Sequence, residues 1–132
     1  MPLHKIEIDP GALAAEVGNM GPLELDALPF GAIQLDDRGT ILRYNKAEER
    51  IAGRTGSDVV GKNFFTDVAP CTRVRRFLGA FQAGIERRDL NEVFDFTFQF
   101  VAGPRDVRIR MIYSEAQLPC VWIFVTPLQS SN

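Results

Sequence analysis

Three features of this sequence carry side chains able to do chemistry: a cysteine directly after a proline, a tyrosine and glutamate four residues apart, and a glycine-rich stretch ending in Gly-Lys-Asn. Cys71 lies in DVAPCT, where Pro70 biases Ala69 towards extended backbone. The thiol therefore follows a defined turn and can be acylated. Most free cysteines are small buried hydrophobes, and the local pattern taken alone favours that plainer role. Tyr44 and Glu48 stand at the end of a strand and the start of a helix, a spacing that can aim both polar tips at one pocket. A phenolic hydroxyl and a protonated carboxylic acid can together hold one phenolate oxygen. The same spacing fits a capping box, Asn45-x-x-Glu48, in which the glutamate folds back on the helix N-terminus. Both arrangements remain open at this point, and spacing alone leans towards the cap.

The stretch GSDVVGKN, Gly56 to Asn63, matches the phosphate-binding G-x-x-x-x-G-K but puts Asn63 where a Ser or Thr metal ligand is required. It also lacks a preceding apolar strand, so it reads as a surface loop between helices. A cysteine hydrolase needs a histidine base, and the one histidine, His4, lies near the N-terminus. The chain is accordingly expected not to be an enzyme, and no histidine-based metal site is expected. Cys71 and Cys120 are far apart and form no C-x-x-C motif, which excludes a redox or zinc motif of that kind. Arg73, Arg75 and Arg76 read most simply as a solvated face.

With 132 residues, 45% of them hydrophobic, the chain is one ordinary globular domain. The net charge of -2, with basic residues dispersed apart from those three arginines, offers no extended footprint for a phosphate backbone. Nucleic acid is not an expected partner. The start, MPLHKIEIDPG, has no apolar core of signal-peptide length, and the run CVWIFV is too short to span a bilayer. A soluble, cytoplasmic protein with no membrane partner is expected.

The elements that must position these residues follow from pattern. Asp9 and Pro10 read as an N-cap and first helical position, followed by Leu13, Val17 and Met20 at helical spacing. This short N-terminal helix has few anchors, which implies a weakly held cap. GAIQL and TILRY flank the turn residues Asp36 to Gly39 and form a hairpin. NKAEERIA is a helix closed by Gly53. In RVRRFLGAFQAGIERR, Phe77, Phe81 and Ile85 form one apolar stripe of a longer helix. Phe94, Phe96, Phe98 and Phe100 alternate with polar residues, and Val107 to Tyr113 and Val121 to Val125 supply two further strands. This is an α+β order with a five-stranded antiparallel sheet flanked by helices. The divisions are an N-terminal helical cap over 1–28, a core over 29–126, and a tail or the start of a linker over 127–132.

Taken together, PFGAIQLD, GTILRYNKAEE, AGRTGSDVVGKNFFTDVAPCT and VFDFTFQF resemble the photoactive yellow protein family, from about Leu23 to Val125. PAS domains in general share the hairpin and helix pattern, whereas the combination of FGAIQLD, YN-x-x-E and GKNFF-x-DVAPCT is characteristic of this family. The resemblance implies a PAS fold and a blue-light photoreceptor whose Cys71 forms a thioester with 4-hydroxycinnamic acid (p-coumaric acid). It implies that Tyr44 and Glu48 hydrogen-bond the phenolate oxygen, with Glu48 protonated in the dark. Light would isomerise the double bond from trans to cis, Glu48 would then give up its proton, and partial opening would be the signal. Arg54 is similar to the family arginine that covers the pocket. Ile33, Phe64, Val68, Ala69, Pro70, Thr72, Phe98 and Phe100 match positions in or beside it. The implied partner is a downstream signalling protein or a fused domain.

Two positions depart from the best-known members. Ala52 replaces a threonine that supports the tyrosine, which implies a shorter hydroxyl network. Ala102 stands where those members have a methionine that assists thermal return to trans, which implies slow dark recovery. The main rival is a plain PAS module that binds another ligand, or that dimerises through Phe77, Phe81 and the sheet face. A second rival is an acyl-transfer enzyme using Cys71.

Overall fold

The sheet begins with a hairpin whose turn is written in its side chains. β1 (Gly31–Leu35) pairs antiparallel with β2 (Ile41–Tyr44). Between them, Asp36 Oδ1 accepts from the N–H groups of Arg38 and Thr40, each at 2.9 Å. Gly39 follows with φ +91°, a conformation open to glycine and costly for other residues. The computed structural model describes residues 9–100 and 102–128; His4 and the tail from 129 onward lie outside them.

Three later strands complete the sheet: β3 (Asn91–Phe100), β4 (Gly103–Ser114) and β5 (Cys120–Pro127). Their order is β2-β1-β5-β4-β3, with every pair antiparallel. Alternate residues face opposite sides. One side sends Ile33, Leu35, Phe94, Phe98, Ile109, Met111 and Ile123 into a core shared with Phe64, Phe65, Phe77 and Phe81. The opposite side presents Ala32, Ile112, Trp122 and Phe124, which are covered by Ala14, Val17 and Leu25 of the N-terminal cap.

The cap comprises α1 (Pro10–Gly18) and α2 (Pro22–Asp26). Asp9 accepts from Ala12 N–H at 3.0 Å with Pro10 in the first turn, as the sequence predicts. α2 escapes the sequence reading because five residues show no periodicity; its signals are Pro22 and Glu24, whose carboxylate accepts from Gly21 N–H at 2.9 Å. α3 (Lys46–Ala52) ends on Gly53 at φ +74°, as expected.

Two readings need correction. The stretch Gly56 to Asn63 is not wholly loop: Gly56–Val59 forms a one-turn helix, α4, because Val59 is fully buried. The expected long helix after Cys71 is a π-helical turn (Arg75–Gly79) running into α5 (Ala80–Arg87). A repeat of four exceeds the 3.6 residues of an α-turn, and the wider turn keeps Phe77 above Phe81. Both rings are buried, at 0% and 3% exposure, so they belong to the core and cannot serve as a dimer interface. Arg73, Arg75 and Arg76 are exposed, with Arg76 lying 5.0 Å over the Phe94 ring.

Candidate functional site

Asn45 organises the end of the hairpin. Its fully buried side chain caps α3 by accepting from Glu48 N–H at 3.1 Å, and the same oxygen accepts from Ala32 N–H on β1 at 2.9 Å. Its amide nitrogen donates to the carbonyls of Leu25 and Phe30, at 2.9 and 3.1 Å. Sequence reasoning weighed Asn45 only as a helix cap. Its role as a junction between cap, sheet and helix arises from partners brought together by the fold.

Glu48 does not fold back to complete a capping box. Its side chain turns inward, is 2% exposed, and leaves Oε1 buried without a hydrogen-bond partner. Desolvation pushes its pKa up to about 8, slightly opposed by the positive charge of Arg105. At neutral pH this group is chiefly a neutral acid with a proton to give. Tyr44 is held well above the ordinary tyrosine pKa, first by burial and then by the nearby Glu48, with Arg54 pulling the other way.

Cys71 sits on a 3₁₀ turn (Pro70–Thr72) between two π-helical turns, Phe64–Val68 and Arg75–Gly79. The first is capped by Asn63, which accepts from Phe65 and Thr66 N–H at 2.9 and 3.1 Å. That bonding gives the last residue of the near-miss phosphate motif a structural use. Ala69 takes φ −135° and ψ 68° ahead of the proline, and Thr72 Oγ1 donates to its carbonyl at 2.6 Å. The Cys71 thiol is free and half-buried.

Several of the expected pocket residues share the main core cluster. Ile33, Phe64, Ala69 and Phe98 are buried in one cluster, with Tyr44, Val68, Cys71 and Phe100 packed against it. The Phe64 ring stands edge-on to Phe98 at 6.4 Å, and Phe98 stacks on Phe100 at 5.0 Å. Arg54 donates to Asp58 at 2.8 Å and to the Val68 carbonyl at 3.4 Å. Beside it opens a cleft of about 380 Å³, lined by Ala52, Gly53, Val68, Gln99, Phe100 and Ala102. Pro70 is exposed, so it shapes the backbone and does not wall the pocket, and the Thr72 hydroxyl is already engaged. Gln99 and the Arg54 anchor Asp58 were not singled out from sequence, and neither carries a local pattern that would mark it.

Among the described residues, no group of three or more His, Cys, Asp or Glu side chains can hold a metal ion. No helix among them is long and apolar enough to cross a membrane.

The PAS fold family matches residues 19–118. A photoactive yellow protein from Rhodothalassium salexigens is 45% identical over 109 residues, covering 83% of this chain and 86% of that protein. One from Halochromatium salexigens is 43% identical, covering 85% and 89%. The crystal structure of the photoactive yellow protein domain of the sensor histidine kinase Ppr from Rhodospirillum centenum superposes with a TM-score of 0.79 at 47% identity, over 83% of this chain and 95% of that domain. By sequence and by structure, this chain belongs to the photoactive yellow protein family of PAS domains.

Proposed function

We propose that the chain is a blue-light receptor in which Cys71 carries a 4-hydroxycinnamoyl group as a thioester, with Tyr44 and Glu48 holding its phenolate oxygen. Family membership supports a PAS photoreceptor role and a bound chromophore. The observation that carries the finer reading is the buried Glu48 Oε1 without a partner, on an acid that desolvation keeps neutral. A neutral carboxylic acid in that position is short of an acceptor, and a phenolate would supply one. The residues fit such a group: a free thiol at one end, aromatic walls from Phe64, Phe98 and Phe100, and an arginine at the rim.

When bound, the group would supply light-driven trans-to-cis isomerisation and a strong proton acceptor. The protein's part is to hold the proton on Glu48 in the dark and release it afterwards. Hydrogen bonds to a charged partner are roughly twice as strong as neutral ones, so Tyr44 and neutral Glu48 together stabilise an anion out of water. Once Glu48 is ionised, a buried carboxylate stands uncompensated, at a cost of several kcal/mol. That is a sizeable share of a total stability of about 5 to 15 kcal/mol. Moving α3 relieves the strain, and α3 is tied to the cap through Asn45 and the Leu25 carbonyl. Loosening of the cap would turn a proton movement into a surface change. The reader of that surface is a downstream signalling protein or a fused domain, as in the kinase-borne relative.

The test is reconstitution. Protein supplied with activated 4-hydroxycinnamate is expected to gain the mass of one acyl group at Cys71 and a visible band, both absent in Cys71→Ser. Native protein that gains neither mass nor colour sinks the reading.

A further inference from the structure

We propose that Gly31 is a positioning residue for Glu48: its missing side chain is the space in which the carboxyl lies. Gly31 is buried in β1 and paired with Val125. It is not among the glycines with positive φ, so the backbone gives no reason for glycine there. Space does. A Cβ built on Gly31 would collide with Glu48 Oε1 and lie 3.2 Å from Glu48 Cδ and 3.3 Å from Glu48 Cα. Carbon atoms prefer separations of about 3.5–4.0 Å. Because the α3 backbone is one of the crowded atoms, turning the carboxyl alone does not clear the clash. A glycine inside a strand weakens it and often marks the close approach of another group; here the group is the acid proposed to trigger the receptor.

The optical part of this inference rests on the receptor reading, but the placement of Glu48 belongs to the chain without chromophore and is tested there first. In chromophore-free protein, Gly31→Ala is expected to shift the isotope-edited infrared carbonyl band of Glu48. It is also expected to lower the acid's titration midpoint by about one pH unit or more, as the group is displaced towards water. In reconstituted protein the visible band should move and the phenol should titrate at higher pH. Gly84→Ala is the control. Gly84 lies on α5, and its added Cβ would meet Leu90 Cβ, beyond the helix end, at 2.7 Å, so it should lower the thermal midpoint and move neither band.

A mutant cycle covers the case in which Gly31→Ala folds poorly. Crowding of the added methyl by the Glu48 side chain predicts that Glu48→Ala restores a large part of the thermal midpoint lost to Gly31→Ala, the 3.3 Å approach to the Glu48 Cα remaining. If Gly31→Ala leaves the Glu48 band and titration unchanged, or destabilises equally with and without the Glu48 side chain, the proposal fails. Absence of colour in the native protein would fail the receptor reading and leave this cycle interpretable.

Discussion

The Asn45 side chain donates to the Leu25 carbonyl at 2.9 Å while its oxygen accepts from Glu48 N–H at 3.1 Å, so one buried amide joins the N-terminal cap to the helix that carries the buried acid. Its partners Leu25, Ala32 and Glu48 belong to α2, β1 and α3.

Asn45→Ala removes a helix cap, takes the amide donor from the Leu25 and Phe30 carbonyls, of which Leu25 keeps the Leu28 N–H at 3.3 Å, and strands the Ala32 N–H. Losing a cap costs about 0.5–2 kcal/mol, and stranding buried groups costs about 1–3 kcal/mol. Denaturant unfolding is expected to record a loss of roughly 2–4 kcal/mol. Limited proteolysis should cut the cap in the dark at a rate the native protein reaches only in light. A cap that stays equally protected in the variant would contradict the coupling.

Protonation of Glu48 makes the chromophore-free protein pH-sensitive. The unfolded chain loses this proton near pH 4.5 and the folded chain only near 8. Stability contributed by the neutral acid is therefore full below about pH 4.5, falls as pH rises, and is gone above about pH 8. At about 1.36 kcal/mol per pH unit, that interval corresponds to roughly 5 kcal/mol as an order of magnitude. Unfolding free energies at pH 5 and pH 8 record the larger part of this fall, and Glu48→Gln should flatten the difference. An equal slope in the variant would remove Glu48 as the source.

Much of the fold was legible because its signals are local. The hairpin rests on turn residues within a few positions of one another, α3 on Asn45 and Gly53, and β3 on strict alternation of phenylalanines. The π-helical turns were not legible, since hydrophobic periodicity presupposes 3.6 residues per turn. Glu48 was the hardest residue to place. Local spacing favoured a capping box, whereas its inward turn depends on the gap at Gly31 in a strand aligned through Val125, far along the chain. Cys71 was similarly ambiguous, because neither neighbouring residue reveals that its side chain will pack against the core cluster that contains Phe98.

Proton holding and proton release separate in Glu48→Gln. The amide still donates a hydrogen bond, so the reconstituted variant should be coloured. Its weaker donation holds less negative charge at the phenolate end, and the band should move to longer wavelength. With no proton to give up and no carboxylate left behind, light should no longer increase cleavage of the cap. Light-induced cleavage equal to that of the native protein would place the trigger elsewhere.

The small side chains Ala52 and Ala102 leave the cleft beside Arg54 open. Without a methionine at position 102 to assist the return to trans, recovery in the dark is expected to be slow. Ala102→Met should speed it by about tenfold or more, equivalent to about 1.4 kcal/mol off the barrier. Flash photolysis of both proteins is the measurement, and a native return as fast as that of the variant would refute the assignment.

As proposed, Glu48 is neutral before illumination and ionised afterwards. Light-minus-dark infrared difference spectra of the reconstituted protein measure this directly, using isotope-labelled glutamate and the Glu48→Gln variant for assignment. A protonated carboxyl band is expected in the dark, vanishing as the pigment bleaches and missing from the variant. A carboxylate band already present at position 48 in the dark, unchanged by light, would contradict it.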